Sequence, residues 1–165
     1  MTALKIVTIG GYGFNSDTFF ATLQAAGVQV FYDIRWRRGM RGADYAFANA
    51  QRLQSRLESL GIQYVHRRDL APSPDIRARQ VAVDHSEKVA KRKRSTLSPE
   101  FIAAYREGIL ADFAPQVFLA GVPNGVQVIA LFCVERYPAA CHRSLLAERL
   151  GELDGVAIEH LLPAD

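Results

Sequence analysis

Apolar residues fall into two kinds of run that alternate along the chain. Residues 4–9, 28–34 and 62–66, and the stretch opening at Val126, are short and rich in β-branched and aromatic side chains, the pattern of strands buried on both faces. Between them the apolar positions take helical spacing. Phe19, Phe20, Leu23 and Ala26 form one stripe, with Asn15 or Ser16 as cap and Gly27 as stop. Ala46, Ala50, Leu53, Leu57 and Leu60 form the clearest stripe and predict one helix over 43–60, ended by Gly61. Ser98-Pro99 starts another, continued by Phe101, Tyr105, Ile109 and Phe113. Residues 115–121 are a short apolar connector or a further helical turn. Pro138 opens the last helix, whose buried side is Leu145, Leu146, Leu150 and Leu153, and residues 155–162 read as a final strand.

Strands alternating with helices predict an α/β fold. We expect a single domain over 1–165, with an open, mostly parallel sheet and helices on both faces. No apolar run reaches membrane-spanning length, so a soluble, cytoplasmic protein with no membrane partner is expected. Two cysteines in 165 residues are no disulfide framework.

Charge changes this picture at one place. The net charge of +3 is concentrated between residues 77 and 94, where seven Lys or Arg face only Asp84 and Glu87. The segment 75–97 is weakly apolar and follows Pro72 and Pro74. It reads as a mobile excursion over the sheet edge, either a solvated helix face or a phosphate-facing lid.

The candidate chemistry gathers where strands end. Cys133, Glu135, Cys141, His142 and Arg143 lie between the strand opening at Val126 and the helix after it. Asp33 and Arg35 close the second strand, His66 the third, and Gly10-Gly11-Tyr12-Gly13 the first. Open α/β sheets keep their sites at this edge. The first loop superficially matches a dinucleotide fingerprint, but Ser16 stands at the third glycine position and Tyr12 and Phe14 crowd the loop. No nucleotide cofactor is assigned from it.

These residues also carry a resemblance. Thr8-Ile9-Gly10, Asp33-Ile34-Arg35, Gly61-Ile62-Gln63-Tyr64, Cys133-Val134-Glu135 and Cys141-His142-Arg143, in this order, resemble the DUF488 family of small bacterial and archaeal α/β proteins. The resemblance spans nearly the whole chain, implies the same fold and points at the same polar residues, but supplies no reaction. Many relatives read Thr-Ile-Gly-His-Ser in the first loop, where this chain has Gly11 for the histidine. Relatives often carry a glycine pair after strand three, where this chain has Asp69-Leu70-Ala71.

Three chemistries compete. Cys133, Glu135, Cys141 and His142 have donor atoms suited to zinc, yet they lack paired Cys-x-x-Cys knuckles and Cys133 is expected on a buried strand, so no metal is assigned. Cys141, near a helix start beside His142 and Arg143, has the setting of an activated thiol, although a cysteine and an arginine separated by five residues, the phosphatase signature, are absent. Acid–base chemistry on an anion uses most of the residues. Arg35 and Arg143 would grip the ligand with Asp33, Tyr12 and His66 in support, and Glu135 and His142 would exchange protons, with Cys141 as candidate nucleophile. The expected protein is an enzyme, a hydrolase or transferase acting on a phosphorylated or nucleotide-like substrate. The competing class is a non-catalytic module that binds a nucleotide or nucleic acid.

Overall fold

The computed structural model describes residues 3–90 and 93–164. Five strands, β1 (Leu4–Ile9), β2 (Val30–Asp33), β3 (Gln63–His66), β4 (Val128–Phe132) and β5 (Val156–Leu161), form one all-parallel sheet in the order β3-β2-β4-β1-β5. Successive residues of a strand face opposite sides, and Ile6 and Val7 of β1 are both fully buried, as are Ile129 and Ala130 of β4. Both faces of the sheet are therefore covered, which explains the unbroken apolar runs.

The helices are α1 (Ser16–Ala25), α2 (Ala50–Ser59), α3 (Pro74–Ser86), α4 (Pro99–Tyr105), α5 (Pro115–Ala120) and α6 (His142–Gly151). Asn15 caps α1 by accepting from Thr18 N at 2.8 Å, while its own N–H donates to Thr18 Oγ1 at 3.0 Å. Ser98 caps α4, which runs on through a π-helical turn at Arg106–Leu110. The 115–121 connector is helix α5.

The helix predicted over 43–60 is two pieces, a 3-10 segment at Ala43–Ala48 and α2. Asn49 between them is extended (φ −73°, ψ 141°), and its side chain accepts from the Met40 N–H at 3.0 Å. Ala50 N then donates to Arg38 O at 2.9 Å. Tying down the loop after β2 costs the helix its continuity.

Connection order decides which strand end matters. The chain moves from β1 to β2 to β3 in one direction along the sheet and then returns to β4 and β5. With right-handed crossovers, α1 and α2 cover one face and α3 to α6 the other. Packing of the 3-10 segment with α1 and α2, and of α4 with α3 and α6, agrees with this division. Strand β4 therefore leads to one face while its neighbours β1 and β2 lead to the other. Crevices at the carboxyl ends of such strands are where ligands lodge.

The basic segment begins as α3, which buries only Ile76 and Gln80. Lys91 and Arg92 of that segment lie outside the described residues. Helix α6, by contrast, buries six side chains. Amide hydrogen exchange should be faster through 75–90 than through α6. Uniformly slow exchange across both would mark α3 as a packed structural helix and remove the lid reading. Among the described residues, no helix is long and apolar enough to cross a membrane.

Candidate functional site

Asp33 and Arg35 lie two residues apart at the end of β2 and form a buried fork. Arg35 Nε donates to Asp33 Oδ1 and Nη2 to Oδ2, each at 2.8 Å. The Arg35 N–H adds a contact to Oδ1 at 3.2 Å, and the Tyr64 hydroxyl donates to Oδ2 at 2.7 Å. Burial and the Asp33 charge push the Tyr64 hydroxyl up to about 12, so it stays a donor. The Arg35 guanidinium carbon lies 4.7 Å from the Phe132 ring centroid. Two of its three nitrogens are thus used. The third, Nη1, is buried with no hydrogen-bond partner among the described residues, although the side chain is 97% buried by its 3% exposure.

Two histidines brace the same loop. His66 Nε2 donates to the carbonyl of Arg35 and His142 Nε2 to that of Ile34, both at 2.9 Å. A carbonyl only accepts, so these nitrogens carry the protons.

At the end of β4 the local structure differs from the sequence expectation. Pro138–Ala140 is a separate 3-10 turn, Cys141 is the extended cap residue (φ −140°, ψ 145°), and α6 starts at His142. Proline fixes the turn, and the chain must extend once more before the helix. Cys133 lies beyond the last residue of β4 and lines a cavity. Its Sγ donates to Glu135 Oε2 at 3.4 Å.

Arg94 closes this end. Its Nη2 donates to Glu135 Oε1 at 2.9 Å, it pairs with Asp84, and its Nε reaches the Ala140 carbonyl at 3.4 Å. Asp84 also accepts from Gln80 Nε2 at 2.7 Å, and Gln80 Oε1 accepts from Ser98 N at 2.7 Å. The basic segment is therefore part of the site wall, with Arg94 bonded directly to Glu135. The run of charges in sequence gave no sign of which arginine this would be.

The cavity is about 490 Å³. The loop after β1 supplies Tyr12, the loop after β2 supplies Arg35, Trp36, Arg37 and Arg41, and the α3 side supplies Arg77, Asp84 and Arg94. Cys133, Glu135, Cys141 and His142 come from the end of β4. Five arginines against two carboxylates give its lining an excess of positive charge. Trp36, Arg37, Arg41, Arg77 and Arg94 were missed as individual site residues.

Three expected site residues stand elsewhere. Asp33 and His66 do not line the cavity and act through Arg35. Arg143, expected at the ligand, is fully buried behind the site and also absent from its lining. Its Nη1 donates to the Glu135 carbonyl at 2.6 Å and its Nη2 to the Arg136 carbonyl at 3.2 Å. Being the second residue of α6, it points back under the strand-end loop rather than over it.

Cys141 Sγ and His142 Nδ1 are 3.7 Å apart. Burial opposes ionisation of Cys141, yet a hydrogen bond from Cys133 and the His142 and Arg143 charges together outweigh it and hold the thiol well below its usual range. Burial likewise pushes His142 down, but the Cys141 charge and hydrogen bond and the Ile34 carbonyl reverse this and raise it. The sulfurs of Cys133 and Cys141 and a nitrogen of His142 all lie within 4.8 Å of one another, a grouping able to hold a metal ion.

The profile of the domain of unknown function DUF488 matches residues 15–150. No curated protein and no solved structure matches the chain.

Proposed function

This chain belongs to the DUF488 family, and from its site we propose that it is an enzyme, a hydrolase or transferase acting on a phosphorylated or nucleotide-like anion. The observation that carries this reading is the Arg35 guanidinium, held by Asp33 on two nitrogens, with a buried Nη1 that has no partner among the described residues, beside a cavity of four further arginines. A buried donor without a partner costs about 1–3 kcal/mol, which an incoming oxyanion would recover. The reacting groups are Glu135, Cys141 and His142, buried on one cavity wall within reach of such a ligand. Their burial favours catalysis over an open nucleic-acid-binding face, where arginines spread across an exposed surface.

Thermal-shift titration with inorganic phosphate and nucleoside phosphates tests this. The unmutated protein should melt higher as the anion is added. Arg35→Lys keeps a charge opposite Asp33 but loses the fork, and should weaken the response by tens- to a hundredfold in concentration, about 2–3 kcal/mol. Glu135→Gln should retain binding and lose turnover in a phosphate-release screen over the same compounds. A protein that binds with a steep salt dependence and turns over none of them would instead be the non-catalytic module.

A further inference from the structure

We propose that Cys133, Cys141 and His142 hold a zinc ion in the cavity wall, with the fourth coordination position open to a water or a substrate oxygen. This deepens the enzyme reading above. It assigns Cys141 and His142 to the ion and leaves Glu135 to take a proton.

The three donors come from two places in the chain: Cys133 is the residue after β4, and Cys141 and His142 are the cap and first residue of α6. The fold nevertheless brings their ligand atoms within 4.8 Å of one another. In a tetrahedral site with zinc–sulfur bonds of about 2.3 Å and zinc–nitrogen bonds of about 2.0–2.1 Å, ligand atoms sit roughly 3.5–4 Å apart. The 3.7 Å between Cys141 Sγ and His142 Nδ1 is such an edge.

The imidazole is also oriented for the task. Its Nε2 donates to the Ile34 carbonyl at 2.9 Å, so in the neutral ring the lone pair is on Nδ1, the nitrogen beside the sulfur. Metal-bound histidines commonly have their other nitrogen fixed in this way. Two sulfurs and one nitrogen select zinc over magnesium or calcium, which prefer oxygen.

Three protein ligands and one open position are the arrangement of catalytic rather than structural zinc. All three side chains line the cavity that holds Arg35, so the open position can be reached by an anion. Glu135 stands next to the group, with Oε2 3.4 Å from Cys133 Sγ and Oε1 held by Arg94. A water on the ion would be acidified, and Glu135 is placed to accept its proton. The sequence offered these donors, but without the short paired spacing of a zinc ribbon it did not assign them to a metal.

The test uses the full chain purified from zinc-supplemented cells without chelator. Elemental analysis should find one zinc per chain, and both cysteines should resist alkylation until a chelator removes the metal. Cobalt(II) added to the stripped protein should give an intense thiolate-to-cobalt charge-transfer band. Cys133→Ser and Cys141→Ser should each lower zinc affinity by on the order of 100-fold or more. Should either variant fail to fold, the alkylation and cobalt measurements on the unmutated chain still decide. Substoichiometric zinc, with thiols equally reactive before and after chelation and no charge-transfer band, would overturn the proposal. So would ready oxidation of the zinc-exposed protein to a Cys133–Cys141 disulfide. Phosphate-dependent thermal stabilisation that persists in such a metal-free protein would leave the anion reading standing. One tightly held zinc with no anion response would support the metal site and remove that reading.

Discussion

Replacing Gly10 with alanine should destabilise the protein by about 3 kcal/mol or more, lowering its melting temperature by roughly 6–12 °C. A Cβ at that position would lie 1.9 Å from the Glu135 carbonyl oxygen and 2.9 Å from its carbon, both backbone atoms. It would also meet Arg143 Nη1 at 3.2 Å. The close approach exists because the loops after β1 and β4 cross. Val134 O accepts from both Gly11 N and Tyr12 N at 3.0 Å. A methyl group there would have to push the Glu135 backbone away from the donor that holds it. Calorimetry of Gly10→Ala checks this, and a variant that melts with the unmutated protein would show that the two loops do not pack as described.

Arg143→Ala should cost about 3–5 kcal/mol while leaving the response to phosphate in place. The guanidinium is fully buried, gives Nη1 and Nη2 to the carbonyls of Glu135 and Arg136, and keeps its Nε without a partner among the described residues. Its removal leaves two carbonyls short of donors and empties the space under the strand-end loop. Glu135 would lose the donor on its carbonyl while its side chain keeps the contact to Arg94. Thermal shift with and without phosphate separates the two roles. A melting temperature close to that of the unmutated protein together with a lost phosphate response would place Arg143 at the ligand after all.

Much of the fold could be read from the chain because its cause is local. The β-branched runs and the helical stripes each carry their own period, and alternation of the two leaves few topologies besides a parallel sheet. The edge holding the polar residues followed as well, since Asp33, Cys133 and Glu135 each lie at or just past the last residue of a strand. Asn49 shows the limit even for a strong stripe. Its 43–60 pattern is intact, but a hydrogen bond from Met40, nine positions away, breaks the helix.

By itself, then, the sequence determined the elements, the sheet type and the edge where the chemistry stands, because hydrophobic periodicity fixes which side of each element is buried. Only the tertiary structure decided what each polar side chain does. Arg94 meets Glu135 across 41 residues, and His142 meets Ile34 across 108. Arg35 and Arg143 are the same residue type at similar junctions. One spends two nitrogens on a carboxylate and lines the cavity, and the other spends two on backbone carbonyls and does not line it. A long charged side chain can reach several partners, and which one it takes depends on groups that only the folded chain brings within hydrogen-bonding distance.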